Sequence, residues 1–178
     1  MRTIRIGFIA MSGVRVQNPE LLAAGLTLPG FVERSEVIAS LPSLSLLTLA
    51  ALTPSHCKVE YHDIESLDAA GTLPDHYDLV AITSLTAQIR DAYGVADRFR
   101  AQGATVVMGG LHVTALPDEA LAHCDAVVIG EGEPVWPQVV DDFLRGRLAR
   151  RYSASPAGRF DLAQAPLPRF DLLDPNRY

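Results

Sequence analysis

The order of apolar runs in this chain predicts an α/β three-layer sandwich built on a five-stranded parallel sheet. Three observations predict it. Residues 78–83, 104–108 and 125–129 are short, unbroken apolar runs, the pattern of strands covered by helices on both faces. Between them lie segments with helical spacing, so strand and helix alternate. Each run ends in a glycine- or hydroxyl-rich loop, and in a parallel sheet such loops emerge at one edge, where ligands bind.

Residues 3–10 are β-rich and apolar and predict a central first strand. Residues 11–41 show no clean period and carry Gly13, Pro19, Gly25, Pro29 and Gly30; a connection of that length in a compact domain is functional or partly disordered. Residues 42–52 predict a helix in which Leu44, Leu47 and Ala51 share a face, Leu46, Leu49 and Ala50 widen it, and Pro54 stops it. Residues 58–64 alternate, with Val59, Tyr61 and Asp63 on one side, and suit a strand near an edge. Residues 68–77 read as a polar connection.

After the third strand, residues 88–102 predict a helix with Ile89, Ala92, Ala96 and Phe99 as its buried stripe and Gly103 at its end. Residues 117–123 predict a short helix with Pro117 first and Asp118 and Glu119 in the opening turn, where the helix dipole favours acids. Pro134 opens a last helix that runs to about Arg145 and stops at Gly146. For five strands the flavodoxin-like (Rossmann-like) order 2-1-3-4-5 is the simpler choice. It places the crevice between the first and third strands, flanked by the loops 11–41 and 83–86. Residues 1–150 then form one domain. Residues 151–178, interrupted by Pro156, Pro166, Pro168 and Pro175, predict an extended arm.

A length of 178 residues fits one domain of this kind. The net charge of -6 argues against a broad nucleic-acid surface, which needs clustered Lys and Arg. Cys57 and Cys124 are isolated and form neither a disulfide framework nor a metal motif, which points to a reducing compartment. The longest apolar stretch, residues 44–52, is too short to cross a bilayer. Residues 1–10 mimic a signal peptide superficially but read better as a strand. The expected location is the cytoplasm, with no nucleic-acid or membrane partner.

Three loops carry the functional signal. Gly109-Gly110 lets backbone approach a ligand closely, or simply makes a tight strand-to-helix turn. Thr83, Ser84 and Thr86 offer hydroxyls to amides or phosphate, or cap the next helix. Gly130-Glu131-Gly132-Glu133 has the same ambiguity, although alternating Gly and Glu is unusual for a mere connector. His112 is a metal-ligand type of residue, but a lone His at a strand end is more commonly a hydrogen-bonded structural one. The Rossmann fingerprint needs three spaced glycines after the first strand, and only Gly13 follows Ala10. Asp63 sits where a ribose-binding acid would lie, without the phosphate loop. The acidic pair, Asp and Lys of a phospho-acceptor receiver are also missing. No Ser–His–Asp set or carboxylate pair can be assembled.

Four stretches in order resemble the N-terminal cobalamin-binding domain of cobalamin-dependent radical SAM enzymes. They are residues 41–52 (LPSLSLLTLAAL), 78–86 (DLVAITSLT), 106–114 with 117–121 (VVMGGLHVT, PDEAL) and 125–133 (DAVVIGEGE). The segment 166–178 is similar to the one that joins this domain to the radical SAM barrel. The resemblance implies a cobalamin site and no catalytic residue in this chain. Its residues would be Ser12 and Gly13 after the first strand, and Pro42 and Leu44 at the first helix. Thr83, Ser84, Leu85 and Thr86 would follow, then Gly109, Gly110, His112, Val113 and Thr114, and last Gly130, Glu131, Gly132 and Glu133.

The chain departs from the wider pattern twice. The D-x-H-x-x-G motif that supplies a cobalt-binding His in methionine-synthase-type domains does not follow Ala10, and His112 is no safe substitute. The C-x-x-x-C-x-x-C motif of radical SAM enzymes is missing too. The resemblance therefore implies that the 4Fe-4S cluster and S-adenosylmethionine belong to a C-terminal radical SAM domain in cis, with this chain an excised or truncated part. In the parent enzyme the reaction would be methyl transfer or radical rearrangement. Two other readings remain: a flavodoxin-like domain for FMN or another nucleotide, and a non-catalytic interaction module.

Overall fold

The computed structural model describes residues 2–11, 41–68, 74, 76–154 and 160–174. The expected connection 11–41, with Ser12 and Gly13, lies outside the described residues apart from its two ends. Six strands are described, one more than expected: β1 (Arg5–Met11), β2 (Lys58–Ile64), β3 (Leu79–Thr83), β4 (Thr105–Gly109), β5 (Ala126–Ile129) and β6 (Arg151–Ser153). They form a single sheet in the order β2-β1-β3-β4-β5-β6. Every pairing is parallel. The first five strands keep the expected 2-1-3-4-5 order. The sixth falls within the segment expected to be an arm, where Arg151 and Ser153 are exposed and Tyr152 alone is buried. One apolar residue among three gives no readable period.

Alternation along the strands builds two cores. Phe8, Ala81, Val107 and Val128 face one side of the sheet, under α1 (Leu44–Leu52) and α5 (Trp136–Leu144). Ile9, Val80, Ile82 and Met108 face the other, under α2 (Ile89–Ala101), α3 (Leu111–Ala115) and α4 (Pro117–Ala120). This is the three-layer sandwich, and its α2 stripe is the expected one, with Ile89, Ala92, Ala96 and Phe99 all buried. The α1 face differs from expectation. Leu46, Leu47, Thr48 and Ala50 are buried, whereas Leu44 is 57% exposed. The helix starts at Leu44, not Pro42, because Ser43 caps it through a 3.4 Å bond from Leu46 N. α3 is an element the sequence did not announce.

Packing at the β1–β2 edge is polar. Glu60 takes bonds from Tyr77 Oη at 2.7 Å, Lys58 Nζ at 2.9 Å and Arg5 Nη2 at 3.2 Å, with His76 Nε2 at 3.2 Å. Tyr77 lies over Gly7, where a Cβ would come within 2.8 Å of its ring. At the other end of the chain, residues 160–174 lie against the α1 side. Arg169 N donates to Leu47 O at 3.1 Å, and Leu172 packs on the α1–α5 core.

Candidate cofactor cleft

The loops after β3, β4 and β5 meet at the C-terminal edge of the sheet, as parallel strands require. Thr83 ends β3 and stands in register with Gly109 at the end of β4. The β4–β5 ladder stops earlier, at Met108 and Val127. Beyond that point the sheet opens under α1, and a cleft of about 640 Å³, counted to its open mouth, enters between sheet and helices.

Glycines shape the rim. Gly110 has φ +103, and a Cβ there would lie 2.8 Å from Thr83 Oγ1 and 3.1 Å from Ser84 O. It precedes α3 directly, which is the tight strand-to-helix turn, and it lies close against the end of β3 and the residue after it. Gly130 has φ +82 with open space beside it. Its N–H donates to Thr114 Oγ1 at 3.0 Å, which joins the β4 and β5 loops. The Gly132 carbonyl accepts from Trp136 N at 2.8 Å and from Val135 N at 3.1 Å, which starts α5. A Cβ on Gly132 would touch Leu49 Cδ2 at 3.4 Å. Glu131 reaches outward, accepting from Phe160 N at 2.7 Å.

The cleft brings together seven of the expected residues: Thr83, Gly109 and Gly110 on one side, and Gly130, Glu131, Gly132 and Glu133 on the other. The remaining described candidates are not among its lining. Leu44 points to solvent and Pro42 is half-buried before α1. Ser84 is buried and its hydroxyl donates to Leu85 O at 3.0 Å. Val113 is fully buried in the core of the opposite layer. Thr114 serves as the loop bridge described above.

His112 also belongs to the opposite layer. Its Nδ1 is 3.3 Å from Thr86 Oγ1 and its Nε2 is 3.3 Å from Glu119 Oε1, which also accepts from Tyr93 Oη at 3.0 Å. Hydrogen bonds from His112 and then Tyr93 hold the Glu119 carboxyl below its ordinary range. Burial, followed by the bond to Glu119, pushes the Tyr93 hydroxyl well up. This is a packing network between α2, α3 and α4. Among the described residues no group of three or more His, Cys, Asp or Glu is placed to hold a metal ion.

Sequence reasoning missed the walls. Ala81, Val107 and Val128 make the floor, Leu46 and Leu49 come from α1, and Trp136 closes the α5 side. Trp136 is 1% exposed and its Nε1–H donates to Thr53 Oγ1 at 2.9 Å. Apolar residues on predicted elements bear no mark that separates a cleft wall from a filled core. The cleft thus has an uncharged, apolar depth and polar groups at its mouth.

Fold and cleft together define an α/β domain with a cleft at the C-terminal edge of its parallel sheet. The chain belongs to the B12 binding domain family, whose profile matches residues 35–140. It is 41% identical over 111 residues to bacteriochlorophyllide d C-8(2)-methyltransferase of Chlorobaculum tepidum, covering 62% of this chain and 24% of that protein. Bacteriochlorophyllide d C-12(1)-methyltransferase of the same organism is 40% identical over 112 residues, covering 63% and 25%. An uncharacterized methyltransferase of Pyrococcus horikoshii is 31% identical over 166 residues, covering 77% and 35%. The chain therefore spans between 24% and 35% of the length of these curated relatives. Among the described residues no helix is long and apolar enough to cross a membrane.

Proposed function

We propose that this chain is the cobalamin-binding module of a cobalamin-dependent radical SAM methyltransferase. The observation that carries the reading is the glycine-rimmed apolar cleft over β3, β4 and β5, in a chain of the B12 binding domain family. The cofactor's nucleotide tail carries one phosphodiester charge and ends in an apolar base, which suits a cleft with an apolar depth and a polar mouth. Gly109, Gly110, Gly130 and Gly132 present backbone without side chains to a passing tail. Thr83 and Ser45 put hydroxyls at the mouth for its polar groups. When bound, cobalamin supplies methyl-transfer chemistry at its cobalt; the protein's part is to bind, orient and exclude water.

Methyl transfer is favoured over rearrangement because the relatives named above are methyltransferases. A C-terminal radical SAM domain in cis, carrying the 4Fe-4S cluster and S-adenosylmethionine, completes the proposal. The test is a UV–visible titration of the purified chain with hydroxocobalamin and methylcobalamin, followed by gel filtration. Stoichiometric co-migration is expected, with a base-off spectrum showing the lower base held by protein. Absence of co-migration, or a preference for FMN, would sink the reading.

A further inference from the structure

We propose that the cleft selects its corrinoid by the lower base, accepting an apolar benzimidazole and disfavouring a purine of equal size. This rests on the reading that the nucleotide tail occupies the cleft. Depth and rim differ sharply in chemistry. Ala81, Val107 and Val128 on the floor and Leu46 and Leu49 on the α1 wall are aliphatic. Trp136 has one polar atom, and Thr53 already accepts from it at 2.9 Å. At Ala81 and Val107 the backbone offers no substitute. Ala81 is registered with Phe8 on one side and Val107 on the other, and Val107 in turn with Ala126. Their amides and carbonyls are therefore spent in the ladders.

Dimethylbenzimidazole and adenine are both flat and bicyclic, so shape separates them poorly. Polarity separates them well. Adenine carries an exocyclic amine and extra ring nitrogens, each of which loses water on entering the slot. The side chains of the floor and the α1 wall return nothing for them, the hydroxyls of Thr83 and Ser45 and the carboxylates of Glu131 and Glu133 standing at the mouth, and a buried unpaired donor is disfavoured. The two methyl groups of dimethylbenzimidazole lose no hydrogen bond and gain apolar contact. An apolar pocket rejects an isostere that merely adds a polar group by at most on the order of a hundredfold. The expected preference is therefore roughly tenfold to a hundredfold.

The full chain is titrated with three corrinoids: hydroxocobalamin, its adenine-based counterpart, and cobinamide, which lacks the nucleotide. Corrin absorbance and the fluorescence of Trp136, the single tryptophan, both report binding. The expected order is benzimidazole form tightest, adenine form at least about tenfold weaker, cobinamide weaker than the benzimidazole form. Val107→Thr keeps the side-chain shape and adds a hydroxyl to the floor, so it is expected to narrow the ratio between the two bases. Equal affinity for the two bases overturns this proposal and leaves the module reading intact. Equal affinity for cobinamide and cobalamin also overturns it alone, since the tail then lies elsewhere. No binding of any corrinoid overturns both.

Discussion

Trp136 donates its indole N–H to the hydroxyl of Thr53, 2.9 Å away, and so ties the start of α5 to the end of α1. Thr53 in turn donates to Leu49 O at 2.9 Å, a residue of the cleft wall. Removing the acceptor strands a buried donor. Thr53→Val is expected to lower stability by about 1–3 kcal/mol. The check is urea unfolding, in which the midpoint drops while the slope stays the same. An unchanged midpoint would show that the bond contributes nothing net.

Gly110 and Gly130 both hold positive φ, but their surroundings differ. Alanine at either costs backbone strain of roughly 1–3 kcal/mol. Only at Gly110 does the new Cβ also meet Thr83 Oγ1 and the Ser84 carbonyl. Gly110→Ala is therefore expected to melt below Gly130→Ala. Equal melting temperatures would mean that Thr83 yields without cost.

Gly132 faces Leu49 across the mouth of the cleft. Gly132→Val puts a branched side chain against Leu49 at the cleft mouth. Affinity for hydroxocobalamin is expected to fall roughly tenfold, which corresponds to about 1.4 kcal/mol, while the urea midpoint moves little. Unaltered affinity in a folded variant would place the ligand away from this wall.

Glu60 supplies a pH dependence. Burial alone would raise its carboxyl, but the bonds from Lys58, Tyr77, His76 and Arg5 outweigh it and hold the group far below the usual carboxylate range. A carboxyl depressed in the folded state adds stability above its ordinary pKa and loses it as pH falls through the folded value. The wild type is expected to lose stability progressively below about pH 4.3, the ordinary Glu value. Glu60→Gln is expected to be less stable at pH 7 by about 1–2 kcal/mol and to show a flatter acid limb. Parallel acid limbs for the two proteins would refute this.

Legibility in the sequence followed burial. β3 was readable because Leu79 to Ile82 are buried on both faces and form an unbroken apolar run. β2 was readable for the opposite reason, since an edge strand alternates, and its span is Lys58–Ile64 as expected. α3 was not readable: five residues cannot show a helical period, and Gly109-Gly110 ahead of it looks like loop. The face of α1 was misjudged because its leucines run almost continuously, so Leu44 and Leu46 are equivalent on paper until Ser43 sets where the helix begins. In the site, the glycines and Thr83 announced themselves by backbone freedom and a hydroxyl. His112 drew attention for its chemistry, yet Glu119 and Thr86 hold it on the far side of the sheet.

Glu131 borders the cleft and also receives the N–H of Phe160, so under the proposed reading it belongs to two equilibria at once. Thermodynamic linkage makes the two reciprocal. Whatever factor an occupied cleft applies to the docking of residues 160–174, their docking returns to the ligand's affinity. A side chain that sits on a wall is thereby also a coupling element between that wall and the chain that continues beyond the sheet.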